Sequence, residues 1–369
     1  MKMKLKIKHT ILISLIVTLH AQIFAQELIP TLPALTIAPD ARSASMGDAG
    51  VATSADVNSQ NWNAAKYIFS QHNGGVALSY TPWLKSAASD IYITYLSGFY
   101  RYNNNESVSA SLRFFSLGNI DFYTDNYEFL QSARPNEFAF DASYSRRLGK
   151  NMSGAITFRY INSTKITLQS TNPVIEHTSN IAADVAFFYQ QPVTFSFAPK
   201  SEWAFGATVS NIGTKVNISD TAGGSFLPMN IKLGTRVTFN LDDNNSLSPM
   251  IEFNKSLVPG NYKYRNSSVM SAAAHSITSD LSKIIWILGM EYSYKQQIYF
   301  RAGYHHTPKK ISNNSYFTFG AGIRYKNMDF AASYLFVTGN SNTLLDNTYR
   351  LSVAIVFGTG KNNWYNYDL

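Results

Sequence analysis

The stretch FAFDASY, residues 138–144, alternates between apolar and polar side chains. An extended chain would place one set on one side and the other set opposite: Phe138, Phe140, Ala142 and Tyr144 against Ala139, Asp141 and Ser143. A period of two is typical of a β-strand with one polar side. The stretches IAADVAFFY (181–189) and IKLGTRVTF (231–239) repeat the pattern. The pattern therefore predicts strands that hold their charged side chains away from an apolar face.

The composition indicates what that apolar face contacts. Charged residues make up 15% of the chain and aromatic residues 14%, whereas an ordinary soluble domain has about 25% charged residues. No apolar run after the N-terminal segment is long enough for a transmembrane helix. Aromatic richness, low charge and alternating strands together predict an all-β, transmembrane outer-membrane β-barrel.

Ten charged side chains fall in the polar register of the predicted strands. We expect them to face the lumen, with arginines and carboxylates paired, because unpaired charge is costly inside a filled barrel. They are Arg113, Asp141, Arg159, Asp184, Arg236, Glu252, Glu291, Arg301, Arg324 and Asp329. The five carboxylates could instead act as acid and base, an alternative that we consider weaker.

Alternating runs of strand length number about fourteen, the even count that bacterial barrels require. They begin near Gly75, Asp90, Glu106, Glu137, Ser153, Asn180, Glu202, Pro228, Leu247, Ile284, Gln297, Tyr316, Met328 and Tyr349. The connections after even-numbered strands are brief, with QQPVTFSFAPKS (190–201) as a longer exception, and those after most odd-numbered strands are long. Short periplasmic turns and long outer loops are typical of membrane barrels, whereas a soluble β-protein has no reason to sort its loops.

The N-terminus reads as an export signal. Residues 1–25 combine four lysines, an apolar run and a small residue at Ala25, which predicts a cleaved signal peptide. We expect an N-terminal hatch in the lumen over residues 26–73, the barrel over 74–358 and a periplasmic tail over 359–369. The net charge of +8 includes the signal lysines, so it does not indicate nucleic-acid binding. The absence of cysteine excludes disulfides, thiolate metal sites and a lipidated N-terminal cysteine.

The stretch MGDAGVATSADVNSQNWNAAK, residues 46–66, carries glycines spaced much like those of a dinucleotide-binding loop. Such a loop needs a buried strand before it and an amphipathic helix after it. Three prolines, Pro30, Pro33 and Pro39, interrupt the preceding segment. We therefore expect these glycines to let the hatch backbone pack closely inside the wall.

Enzymatic signatures are weak. His305 and His306 are adjacent on a strand, so their side chains point apart and cannot share a metal without other ligands. No serine nucleophile elbow or His-Glu-x-x-His motif occurs. We expect no enzymatic activity, no cofactor and no metal.

The segment ARSASMGDAGVATSADVNSQNWNAAK, residues 41–66, resembles the N-terminal signature of the long-chain fatty-acid transporter (FadL) superfamily of fourteen-stranded barrels. The motif positions are Arg42, Met46, Gly47, Asp48, Gly50, Trp62 and Asn63. Residues 35–70 resemble more closely the PorV (LptO) family of the bacterial type IX secretion system. One departure is Asn63-Ala64-Ala65 where the superfamily has Asn-Pro-Ala, which puts the local turn in doubt.

The resemblance implies a non-enzymatic protein, integral to the bacterial outer membrane, whose client is a protein. Its implied partners are a giant translocon barrel of the SprA (Sov) type, secreted cargo with C-terminal signal domains, a surface sortase or attachment complex, and outer-membrane lipid and lipopolysaccharide. It would receive cargo from the translocon and pass it to the attachment complex. No nucleic acid is implied.

Two predicted outer loops are candidates for contact with partners. The segment NIDFYTDNYEFLQSARP (119–135) carries Phe122, Tyr123, Tyr127, Phe129 and Leu130. Aromatic side chains in water are unusual unless a partner or neighbouring loops cover them, and both explanations remain open, as does a position at the aromatic girdle. The segment SSVMSAAAHSITSDLSK (267–283) has weak helical character and could lie on a partner or cover the barrel mouth.

The alternative function is passive transport of hydrophobic molecules, which needs an apolar pocket and a lateral route through the wall. Pro249 lies in the predicted ninth strand, and its missing N–H could mark an opening in the wall or only a local bulge. A purely structural barrel is a third possibility.

Overall fold

The structure is a computed structural model that describes residues 32–359, except for 86–87, 125, 168–172, 217–223, 261–263, 265, 280, 313–314, 339–344 and 346–347. The predicted signal peptide, the first six residues of the predicted hatch and residues 360–369 of the predicted tail lie outside the described residues.

Fourteen strands form one closed antiparallel barrel, which confirms the predicted fold class. Each pairs with its neighbours along the chain, and the first strand pairs with the last to close the ring. The barrel strands are β1 (His72–Pro82), β2 (Ile91–Tyr100), β3 (Glu106–Leu117), β6 (Asn136–Arg147), β7 (Met152–Thr167), β8 (Val174–Phe195), β9 (Ala198–Gly213), β10 (Asn230–Asn240), β11 (Asn245–Ser256), β12 (Ile285–Tyr294), β13 (Ile298–His306), β14 (Tyr316–Tyr325), β15 (Met328–Val337) and β16 (Tyr349–Thr359). A separate hairpin, β4 (Ile120–Tyr123) and β5 (Phe129–Ala133), lies between β3 and β6.

The connections differ in length between the two ends of the barrel. At one end they are two to five residues long, and at the other they are longer and contain the β4–β5 hairpin and a helix, Val269–Thr278. This sorting identifies the first end as periplasmic and the second as extracellular.

The predicted long turn at residues 190–201 is wrong, because β8 continues to Phe195 and β9 begins at Ala198. Pro192 lies within β8, opposite Glu202. Strand β7 pairs with β8 only as far as Tyr189, so no neighbour on that side needs an N–H from Pro192.

The side-chain alternation holds around the barrel. In β16, Leu351, Val353, Ile355 and Phe357 are exposed on the outer surface, while Ser352 and Ala354 are buried on the inner side. The same alternation holds in β1, so the seam that closes the ring matches apolar with apolar positions. An apolar outer band with polar inner positions suits a wall in hydrocarbon. None of the described helices is long and apolar enough to cross a bilayer.

Residues 32–71 form the hatch and fill the lumen. Leu32 packs in the outer half against Ile161 and Leu227, and helix α1 (Ala41–Ala44) contacts β14, β15 and β16. Helix α2 (Ser59–Trp62) and a 3₁₀ segment, Ala64–Phe69, follow. There Tyr67 stacks on Phe99 with ring centroids 4.4 Å apart. The chain thus crosses the lumen from the outer half to the periplasmic end before β1 begins.

An added charge should destabilise the barrel when it lies on the apolar outer band and should have little effect when it lies in an exposed turn. Leu288→Arg places a cation on the exposed apolar face of β12 and should destabilise the barrel by about 2–4 kcal/mol, the cost near a bilayer midplane. Asn104→Arg, in the exposed turn between β2 and β3, is the matched control and should change little. Urea unfolding in lipid vesicles measures both, and equal stabilities would contradict the assigned outer face.

Candidate functional site

The hatch segment 45–52 lies against the wall with backbone touching backbone. A Cβ at Gly206 would lie 2.1 Å from the carbonyl oxygen of Val51, and one at Gly303 would lie 2.1 Å from the amide nitrogen of Gly47. No side chain fits such gaps, so only glycine allows this approach. Gly289 also faces hatch backbone, whereas the other two wall glycines at this segment face the side chains of Val51 and Ser45. We call the five wall positions the glycine face: Gly206, Gly234, Gly289, Gly303 and Gly320.

The backbone amides of the glycine motif bind a carboxylate from the wall. The N–H groups of Gly50 and Val51 both donate to Oε2 of Glu252, at 2.8 and 2.9 Å. Glu252 is only 2% exposed. A phosphate loop would use such amides for its ligand, but here a side chain of β11 occupies them. The glycine spacing therefore serves the contact between hatch and wall.

The turn at Gly47 and Asp48 makes further bonds to the outer half of the wall. The Gly47 N–H donates to Thr318 Oγ1 at 2.8 Å, and the hydroxyl of Tyr316 donates to Asp48 Oδ2 at 2.6 Å. A ring nitrogen of His305 lies 2.9 Å from the Gly47 carbonyl oxygen. The adjacent His306 stacks on Trp286, so the two histidines point to opposite sides of the wall.

Arg42 ties α1 to both the wall and the rest of the hatch. Its guanidinium donates to both oxygens of Glu291, at 2.9 and 3.0 Å, and to Asp56 at 2.9 Å. Arg301 donates to the same Glu291 at 2.7 Å. The two arginines offset the desolvation cost of burying the Glu291 carboxylate. Glu291 therefore joins strands β12 and β13 to the hatch.

The end of the motif, Trp62 and Asn63, bonds to other parts of the hatch and to the wall. Trp62 donates to Asp40 at 2.6 Å, and the amide of Asn63 donates to the carbonyls of Val51 and Phe187 at 3.0 and 2.9 Å. The side chain of Asn63 also caps the 3₁₀ segment by accepting from Ala65 N–H at 3.1 Å. The turn at Asn63 therefore forms with alanine, not proline, at position 64.

Lys66, outside the membrane-spanning strands, stabilises the same loop. Its ammonium donates to the Gly50 carbonyl at 2.7 Å and to Thr53 Oγ1 at 2.8 Å. Burial lowers the pKa of Lys66 to about 8, despite the opposing attraction of Asp56.

Most of the ten predicted lumen charges form ion pairs. Arg159 bridges Asp141 at 2.7 Å and Asp184 at 3.0 Å. Arg324 pairs with Asp329 at 2.5 Å. Arg236 bonds Glu202, a partner that the sequence analysis did not include.

Two of the predicted charges hold the hatch backbone instead of pairing with each other. Arg113 donates to the Ala34 carbonyl and to the side chain of Asn61, while Glu252 accepts the motif amides. Arg350, missed from the sequence, donates to the Ala38 carbonyl at 3.0 Å. Its register on β16 was visible, but its partner in the hatch was not.

A polar cavity of about 220 Å³ remains at the periplasmic side of the hatch. Its lining includes Arg236, Glu202, Arg301, Arg324 and Asp329. Within the described part of the chain, no group of three or more histidine or acidic side chains is arranged to hold a metal ion.

The β4–β5 hairpin presents aromatic rings to solvent at the extracellular end. Tyr127, at its tip, is 89% exposed. Tyr123 and Phe129 are also exposed and pack edge to face, with centroids 5.8 Å apart. Phe122 and Leu130 are half-buried. We call Tyr123, Tyr127 and Phe129 the hairpin patch.

Comparisons with known proteins agree on architecture and give a family. The family model described as Type IX secretion system protein PorV matches residues 22–263, which confirms the resemblance found over residues 35–70. A search of curated proteins gave no match.

Three solved structures of similar fold are described as transporters or a channel. The toluene transporter TbuX of Ralstonia pickettii is 12% identical, with a TM-score of 0.51 over 91% of this chain and 100% of that chain. The CymD monoaromatic hydrocarbon channel is 11% identical, with a TM-score of 0.50 over 89% of this chain and 99% of that chain. The toluene transporter TodX of P. putida is 10% identical, with a TM-score of 0.50 over 87% of this chain and 99% of that chain. At such identities the likeness shows the fold alone, a closed antiparallel β-barrel.

The glycine face predicts a sharp difference between two glycine substitutions. Gly206→Ala forces a Cβ into the Val51 carbonyl and should destabilise the hatch contact by about 1–3 kcal/mol. Gly154→Ala on β7 is the control, because the new Cβ would lie 3.1 Å from the flexible end of Leu148 and at an ordinary contact distance, 3.6 Å, from the Ala186 carbonyl oxygen. Trypsin cleavage at Arg42 or Lys66 reports release of the hatch. Equal protection in both variants would contradict the assigned contact.

Proposed function

This chain belongs to the PorV family of type IX secretion system proteins, and we propose that it binds the translocon of that system and receives secreted proteins at the cell surface. It is an integral outer-membrane barrel of that system. In our proposal it takes cargo by a C-terminal signal domain and passes it to the surface sortase or attachment complex, which links the cargo to lipopolysaccharide. It does no bond chemistry itself.

The filled lumen supports a client that stays outside the barrel. Hatch residues Ala41, Met46, Val51 and Tyr67 have no exposed surface, and the motif amides are bonded to the wall. A folded or extended protein does not fit through the lumen that remains. Partners must therefore be bound by the outer surface and loops.

The hairpin patch is the observation that carries this proposal. Its three aromatic side chains lie in water at the extracellular end, on a hairpin that the barrel does not need for closure. Aromatic side chains are strongly enriched where proteins bind one another. The hairpin is attached to the connection between β7 and β8, because the side chain of Gln131 in β5 donates to the carbonyl of Pro173 at 2.5 Å. A held, exposed aromatic surface fits a docking site.

Transport of hydrophobic molecules is the second candidate, favoured by the fold shared with solved toluene transporters and a hydrocarbon channel. Two features of the described chain weigh against it. The lumen cavity is lined by charged side chains, whereas an apolar ligand needs an apolar pocket.

The wall at Pro249 also lacks a lateral opening. Pairing of β11 with β12 runs through Pro249 without a break, and pairing of β10 with β11 resumes in the same register after two residues. Across that short interruption the hydroxyls of Thr238 and Ser248 lie 2.9 Å apart. The missing proline N–H therefore interrupts the ladder without parting the strands.

A mild-detergent pull-down from outer membranes, read by mass spectrometry, tests the proposal. The wild-type chain should retain a very large barrel or exported proteins that share a C-terminal domain. Joint change of Tyr123, Tyr127 and Phe129 to Ser should lower the recovered partner at least about tenfold, because buried aromatic anchors each contribute on the order of 2 kcal/mol.

The matched control removes three exposed rings at the periplasmic end, by Tyr102→Ser, Phe197→Ser and Tyr325→Ser. It should leave the recovered partner unchanged. Undiminished recovery and normal cargo display after the hairpin changes, with the barrel inserted, would refute the assigned docking site. Recovery of the wild-type barrel with bound lipid and no protein would favour transport.

A further inference from the structure

The helix α3 (Val269–Thr278), in the connection between β11 and β12, lies outside the barrel wall. Its residues Val269 and Ala273 pack in one cluster with Val209 and Ile231. Those two wall residues pair across β9 and β10 and share the outward register of the exposed Val185 and Leu233. A helix that covered the mouth would not reach outward-facing residues, so these contacts disfavour the lid, one of the two positions that the sequence left open.

A second contact fixes the end of α3 on the same side. Lys255 shares the outward register of β11 with the exposed Phe253. Its ammonium donates to the carbonyl of Ser279, the residue after α3, at 2.8 Å. The start is fixed by Ser268, whose side chain accepts from Ser271 N–H. Both ends of α3 are therefore defined at the extracellular rim.

The helix has three different faces, which follow from its period of 3.6 residues. One face packs on the barrel through Val269, Ala272, Ala273 and Ser276. A second face is polar and exposed, with Ser271, His275 and Thr278. The third is apolar and exposed: Met270, Ala274, Ile277 and, in the 3₁₀ turn that follows, Leu281. Met270 alone is 69% exposed.

We propose that α3 is an interfacial helix whose third face is embedded in the lipid of the outer leaflet. The packed face lies on the lipid-facing side of β9 and β10, so the apolar stripe continues the hydrocarbon-facing band of the wall. The polar face then turns to extracellular water. A helix at a membrane surface divides its sides in this way.

Charge at the same rim fits this placement. Lys283 follows Leu281 just before β12, and Lys309 and Lys310 follow β13, the neighbouring strand, at the same end of the barrel. Basic side chains near the ends of membrane segments extend their charge to the level of anionic headgroups. The hydrocarbon stripe and the cations therefore match the two layers of one lipid leaflet.

The absence of cysteine from the sequence allows a direct test with single labels on the full chain. An environment-sensitive fluorophore is attached to Met270→Cys or Ile277→Cys, and to Ser271→Cys or His275→Cys as controls on the polar face. The purified barrel is placed in vesicles of outer-membrane lipid with no other protein. Quenching is compared between aqueous iodide and a lipid carrying bromine in its acyl chains.

Labels at 270 and 277 should be quenched by the brominated lipid and be several-fold less sensitive to iodide than labels at 271 and 275. Equal iodide quenching at all four positions would overturn the proposal. The proposal would also be overturned if iodide quenched labels at 270 and 277 in pure lipid vesicles but not in native membranes. That result would show that a protein partner, not lipid, covers the stripe. The proposal does not depend on the hairpin patch or its pull-down.

Discussion

The contact between the hatch backbone and the glycine face is the constraint on which the rest of the lumen depends. Backbone groups buried away from water must be bonded, and a wall of ordinary side chains would hold the hatch too far off for this. Glycines on five strands remove that barrier, and Glu252 then accepts two amides from one turn. Arg42, Glu291 and Arg301 complete the attachment with charge that is compensated locally.

This attachment determines what the lumen contains. The same barrel serves channels for small hydrocarbons, yet here the lumen is occupied by bonded backbone and paired charge, and its cavity is polar. A fold does not fix a function. When the lumen is filled, the surfaces that can act are the outer wall and the loops, where the hairpin patch and α3 lie on connections far apart around the ring.

The sequence predicted the barrel well because its physical signal is local. Alternation with a period of two is visible within each strand, and the count of runs and the loop lengths followed from it. The turn predicted over residues 190–201 was wrong because the pattern within one strand does not show that β7 stops pairing at Tyr189, which lets β8 continue through Pro192. The β4–β5 hairpin pairs locally, but its strands of four and five residues are too short for a clear alternation. The outer position of α3 was missed because it depends on contacts distant in sequence.

The site was predictable only in part. The register placed Arg113 and Glu252 on the inner side, but nothing in the strands showed that their partners were carbonyls and amides of the hatch rather than opposite charges. Glu202 and Arg350 were missed because their roles depend on partners distant in sequence, Arg236 and the Ala38 carbonyl.

Hydrogen exchange of the hatch, measured by mass spectrometry on the full chain in lipid nanodiscs, tests whether the hatch backbone is held against the wall. We expect the amides of residues 45–52, which pack against β9 and β13 and bond to Glu252 and Thr318, to exchange as slowly as the amides of those two strands. Exchange of this segment within seconds, while the strands stay protected, would show a hatch that opens readily and would contradict the account.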